Sequence, residues 1–410
     1  MSGFIDTKQH YVLLDGLRGV AALMVLWYHI FEGFAFAEGS IIETFNHGHL
    51  GVDFFFILSG FVISYAYDDR WHIGKSQKTK GESLTLGKFI KRRLIRLHPM
   101  LVMGAFIGLI TFLVQGSVKW DGSSTPLHWT LIAFLLTLFF IPAYPGAEYD
   151  IRGNGEMYPL NGPSWSLFFE YIGNILYAIF IRRLSNKMLA LFTGIIGILW
   201  ILFVTFDVSG YDMIGIGWTL DAVNFFGGLL RMLFPFSLGM LMARRFNDKR
   251  HKAKDESSCL SVIKSFIIRN IFWIATIVLF VLFSVPYLPK AETSNISVNG
   301  IYELFCIMIV FPFLVWFGAA GTTNSRFSTK LCNFLGDISY PLYIVHYPIM
   351  YLFYAWLIDN RLYTLSETWH AVVLVMTTSV ALAYACLKLY DEPIRKRLSQ
   401  YMNSHSKNEL

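Results

Sequence analysis

The chain has 410 residues, of which 55% are hydrophobic, 17% aromatic and only 15% charged, and its mean hydropathy is +0.49. A composition this apolar excludes an ordinary soluble domain. The formal net charge of +6 sits in a few intervals, so it reports membrane topology rather than a nucleic-acid partner.

Apolar stretches at 11–31, 49–67, 98–115, 129–143, 164–181, 188–206, 224–243, 267–285, 302–318, 338–357 and 369–390 predict eleven helical segments. No long polar interval separates them. They predict an all-α polytopic membrane bundle, one domain over 1–410 with its core at about 11–395 and no fused soluble domain.

The first segment holds Arg18 and His29, eleven residues apart. At about 100° and 1.5 Å per residue they share one helix face, about 16 Å apart along the axis. Charged groups at membrane depth are costly unless they face a cavity or a partner, so this pair marks a candidate site. An imidazole takes and returns a proton near neutral pH, which makes His29 the natural general base. Ala35-Phe36-Ala37 resembles a signal-peptidase site, but an arginine inside the apolar stretch and a weakly basic start argue against cleavage.

The second segment opens His49-Leu-Gly-Val-Asp53 and continues to Ser59-Gly60-Phe61. As hairpin partner of the first, it predicts Asp53 at the depth of His29, where the carboxylate would orient the imidazole. Ser59-Gly60 reads as a close-packing position. Residues 70–97 then carry nine Lys/Arg against one acid, Glu82, ending in Arg92, Arg93 and Arg96. Arg93 and Arg96 share a helix face, a geometry suited to bidentate phosphate contacts from a donor docking at the cytoplasmic surface.

The positive-inside rule places the amino terminus and 70–97 in the cytoplasm, and the basic intervals 182–187, 244–269 and 395–397 ask for the same side. All agree only if 129–143 does not fully cross. Fifteen residues make about 22 Å of helix against a core of roughly 30 Å. The prediction is ten crossings plus one short or re-entrant outer helix, with both termini cytoplasmic and 115–163 as the largest outer loop.

After that loop comes Ser164-Trp165-Ser166, with Glu170 further into the apolar run, where it would face the acceptor or a cavity water. Near the carboxyl end, Ser339, Tyr343 and His346 are polar groups in an apolar helix; on spacing alone His346 reads as a satisfied core histidine. The four cysteines show neither metal spacing nor a disulfide framework, and no metal is expected. Gly-rich phosphate loops, zinc-protease helices, nucleophile elbows and dinucleotide fingerprints are absent from the sequence.

Five elements in order resemble the acyltransferase-3 family of multi-pass membrane O-acyltransferases, which includes bacterial polysaccharide and O-antigen O-acetyltransferases. They are Arg18-x10-His29, the Gly-Val-Asp-Phe-Phe-Phe-Ile-Leu-Ser-Gly-Phe block at 51–61, Arg93-x-x-Arg96, the Trp-Ser-Leu-x-x-Glu element at 165–170, and the Ser-Tyr-Pro-Leu-Tyr-x-x-His element at 339–346. The resemblance implies acyl-coenzyme A, usually acetyl, as donor and a carbohydrate hydroxyl as acceptor, with His29 central and Arg18 helping to hold the donor. It also implies a bacterial inner-membrane location, and glycan-assembly proteins as partners besides the lipid bilayer. On this reading the catalytic set is His29, Asp53 and Glu170, and the donor set Arg18, Arg92, Arg93 and Arg96. Further candidates are Trp165, Ser166, Ser339, Tyr343 and His346. A proton-coupled transporter or flippase is the alternative, since the same buried charges line transport pathways.

Overall fold

The computed structural model describes residues 11–38, 46–71, 84–252, 261–288, 296–323 and 325–408. Residues 72–83 of the basic interval 70–97 and 253–260 of the basic interval 244–269, Cys259 among them, lie outside them. The described residues are almost entirely helical: α1 (Val12–Glu38), α2 (Gly51–Tyr67), α3 (Leu86–Val114), α4 (Leu127–Leu138), α5 (Ser164–Ile179), α6 (Asn186–Thr205), α7 (Ala222–Lys252), α8 (Ser261–Phe283), α9 (Val298–Phe305), α10 (Phe311–Ala320), α11 (Arg326–Asn360), α12 (Leu365–Cys386) and α13 (Glu392–Asn408). Helices α9 and α10 run on through a π-turn at Cys306–Val310, giving one span from Val298 to Ala320.

Among the described residues, nine helices are long and apolar enough to cross a membrane, and α8 adds a shorter apolar helix within its described length. Helix α4 has twelve residues, about 18 Å, well short of the hydrocarbon thickness. Several helices outrun their apolar stretches, because polar end turns continue the backbone ladder. The 338–357 segment becomes the 35-residue α11, with Pro341 and Pro348 inside it.

Two helix pairs form the heart of the bundle, α1 against α11 and α2 against α7. Both approach at glycine. A Cβ on Gly19 would lie 2.3 Å from the Leu335 carbonyl oxygen, and one on Gly60 would lie 1.9 Å from that of Phe236. Small residues let backbones approach where lipid offers no hydrophobic driving force, so the close-packing role expected of Gly60 is realised. Helix α11 thereby lays Ser339, Tyr343 and His346 along the polar face of α1.

The segment between α3 and α5 folds back over one end of the bundle. Arg152 is buried, stacks 3.4 Å from the Tyr351 ring centre and donates to the Pro159 carbonyl at 2.6 Å. Met157 N–H donates to the Trp218 carbonyl, which ties this cap to the loop before α7.

Candidate active site

Two cavities lie on the polar face of α1, one beside each end of the Arg18-x10-His29 element. The arginine cavity, about 110 Å³, is lined by Arg18, Arg93, Arg96, Glu170, Ser339 and apolar residues of α2. The histidine cavity, about 280 Å³, is lined by His29, Glu32, Trp165, Arg231, a group of tyrosines and Trp120 and Glu156 from the cap. Val52 and Tyr343 line both, so the two share a wall. The larger is near the lower end of small-molecule pockets, roughly 300–1,000 Å³; the smaller is a slot.

His29 is held from its own helix. Its Nδ1 lies 2.6 Å from Glu32 Oε2, one turn on, and that oxygen also accepts from Tyr354 at 2.9 Å and Tyr347 at 3.4 Å. A proton on Nδ1 shared with the carboxylate leaves Nε2 as the basic nitrogen. The His346 ring lies 5.2 Å away between centroids. His346 is 1% exposed, its Nδ1 lies 2.9 Å from the Leu342 carbonyl, and its Nε2 has no hydrogen-bond partner among the described residues. The reading of His346 as a satisfied core histidine is therefore half right, since one nitrogen is satisfied and the other is not.

The expected pairing of Asp53 with His29 does not form. Asp53 is fully buried and takes Arg231 of α7 in a bidentate pair at 2.9 and 2.7 Å. The same guanidinium donates to the Ile216 carbonyl and lies over Trp165, 5.0 Å from its ring centre. A buried arginine offers Asp53 two charge-assisted bonds, which an imidazole could not match. Glu32, one turn beyond His29 on the same helix, is the partner of His29 instead, and its i+3 spacing was the available signal. Arg231, lone within the 224–243 apolar stretch, was a legible signal too.

Glu170 faces a cavity, as its place in the apolar run suggested, but the arginine cavity rather than that of His29. It lies in the arginine cavity, accepting from Arg93 Nη2 at 2.7 Å and from the Ser59 hydroxyl at 2.7 Å. Arg18 donates to Ser339 Oγ at 2.8 Å and to the Gly336 carbonyl at 2.9 Å, with Asp15 3.1 Å away. Arg96 is exposed along the same slot, whereas Arg92 is half-buried and lines neither cavity. Ser166 meets Tyr343 at 2.7 Å between hydroxyls, at the wall common to both cavities. In the cap, burial pushes the Glu156 carboxyl up to about 7, and it accepts from the Tyr351 hydroxyl.

Comparison with known proteins supplies the context for this arrangement. The family described as "Acyltransferase domain" matches residues 11–388. A protein named "Protein 2 in picA locus" from Rhizobium radiobacter is 32% identical over 189 residues, 45% of this chain and 88% of that protein. The peptidoglycan O-acetyltransferase OatA of Listeria monocytogenes is 23% identical over 408 residues, 95% of this chain but 56% of its own length. A putative O-acetyltransferase of Staphylococcus aureus is 24% identical over 415 residues, 97% of this chain and 59% of its own length. The chain thus spans a little over half of these longer relatives. No solved structure matches. With a match across nearly the whole chain and a bundle of apolar helices to carry it, the protein belongs to the acyltransferase-3 family of multi-pass membrane acyltransferases.

Proposed function

We propose that the protein transfers an acetyl group from acetyl-coenzyme A to a carbohydrate hydroxyl, with His29 as general base. The observation that carries this reading is the Glu32-held imidazole opening into one cavity, next to a second cavity lined by three arginines. Positive charge at one mouth and a positioned base in the adjoining chamber fit a long donor with phosphates at one end and a thioester at the other.

The adenine nucleotide phosphates would meet Arg96 and Arg93 at the cytoplasmic side, and the pantetheine arm would run through the slot past Arg18. Extended coenzyme A is on the order of 20 Å, comparable to the axial separation of Arg18 and His29 plus the interface. A sugar hydroxyl in the histidine cavity would give its proton to His29 Nε2 as its oxygen attacks the thioester carbonyl carbon. Collapse of the tetrahedral intermediate breaks the carbon–sulfur bond, and the imidazolium returns the proton to the leaving thiolate. The products are an O-acetyl sugar and coenzyme A thiol.

Aromatic rings and tyrosine hydroxyls around the histidine cavity suit a sugar, which offers apolar ring faces and many hydroxyls. One relative is named a peptidoglycan O-acetyltransferase, which supports a glycan of the cell surface. Mass spectrometry of surface glycans from cells with wild-type protein, without it and with His29→Ala tests the whole reading. A one-acetyl increment present only with wild type is expected, and the same increment with a well-inserted His29→Ala would overturn the role of His29.

A further inference from the structure

Beside the histidine cavity, His47, His49 and Glu303 converge from distant parts of the chain. All three are buried, at 1%, 7% and 0% exposure. His47 Nδ1 lies 2.7 Å and His49 Nε2 2.9 Å from the same oxygen, Glu303 Oε1. The other carboxylate oxygen accepts the Ile214 N–H at 2.6 Å. One donor atom from each side chain falls within 4.8 Å of the others.

Hydrogen bonding explains only part of this convergence. His47 Nδ1 bonds the carboxylate, His49 Nε2 comes nearly as close to the same oxygen, and His49 Nδ1 has no hydrogen-bond partner among the described residues. Two imidazole nitrogens crowded onto one buried carboxylate oxygen are what three ligands of one cation present. Tetrahedral zinc with ligands at 2.0–2.2 Å holds them about 3.3 Å apart, so the two short pairs would open by about half an ångström. The Ile214 N–H on the far oxygen is the outer support that a ligating carboxylate ordinarily has.

We propose that His47, His49 and Glu303 form a binding site for a divalent transition metal, zinc by the chemistry of the donors. Two imidazoles and one carboxylate leave the fourth position for water, reached from the histidine cavity that His49 lines. The ion joins the turn before α2 to α9 and to the 207–221 loop. Since the His49 carbonyl also accepts from Arg231 at 3.4 Å, it steadies the wall that carries the Asp53–Arg231 pair. This proposal departs from the sequence expectation of no metal, which the spacing of the chain alone could not weigh against this juxtaposition.

The test is metal content and needs no activity. Full-length protein carrying a purification tag without histidines, from zinc-supplemented cells, is measured by inductively coupled plasma mass spectrometry; about one zinc per chain is expected. His49→Ala and Glu303→Gln should each lose the metal about tenfold or more, while His29→Ala keeps it. Wild type holding below about 0.1 metal per chain, with no uptake from added ZnCl2, overturns the site; so does undiminished zinc in both variants. If the variants do not fold, His49→Cys, a conservative ligand change, is expected to retain zinc. Wild type should lose thermal stability with a chelator and regain it with ZnCl2, and an unmoved midpoint counts against the site.

Discussion

The two cavities on the face of α1 are built on opposite plans. In the arginine cavity two of the three guanidiniums are already engaged: Arg93 by Glu170, and Arg18 by Ser339 and Gly336. In the histidine cavity the His29 imidazole is held by a carboxylate, and behind it the buried His346, which does not line the cavity, has an Nε2 with no hydrogen-bond partner among the described residues. Precompensated charge lowers the cost of holding guanidiniums inside a membrane, and on the proposed function an incoming phosphate would displace Glu170 from Arg93. On the proposed function, the carboxylate-held His29 keeps its Nε2 for the proton of a substrate hydroxyl. On the proposed function the first plan suits reversible capture of an anion and the second suits proton transfer.

Substitutions sharpen or break that contrast. The largest effect is expected for His29→Ala, a fall in acetyl transfer of about 10²–10⁴-fold with normal membrane insertion. Loss of donor binding alone, at unchanged turnover, would move His29 out of the base role. Next, Arg231→Ala should cost about 3–5 kcal/mol of stability by leaving Asp53 charged and buried, read as a lowered thermal midpoint in detergent. An unaltered midpoint would mean that the pair is not structural.

Glu156 should make stability depend on pH. Its carboxyl is raised from 4.5 to about 7 by burial, so the folded state binds the proton more tightly than the unfolded one. The associated stability, about 3 kcal/mol, is complete below pH 4.5 and is lost as pH rises through 7. Glu156→Gln should remove that slope; a slope identical to wild type would assign it to another group. The smallest effect is expected for Glu170→Gln, which frees Arg93. The KM for acetyl-coenzyme A should fall a few-fold with little change in kcat, whereas a collapse of kcat would return Glu170 to the catalytic set.

Much of the architecture was legible along the chain, since hydropathy alone located every membrane-length helix found. The short segment after α3 was legible as well, because a helix of fifteen residues or fewer falls short of the bilayer core. Pairing was less legible. Hairpin adjacency of the first two segments suggested Asp53 for His29, but adjacency fixes depth and not azimuth, and Asp53 turns away toward α7. The true partner, Glu32, is local in sequence, three residues on along the same helix.

By itself, then, the sequence determined the class of protein, the ordered motifs of its family and the shared face of Arg18 and His29, because these depend on composition and on the 3.6-residue period. Only the tertiary structure decided the rest. Arg231 meets Asp53 across 178 positions, Arg93 meets Glu170 across 77, and His47 meets Glu303 across 256. Each is a buried ionisable group whose cost is met by whichever opposite partner the helix packing brings within about 3 Å, and sequence spacing carries no record of that choice.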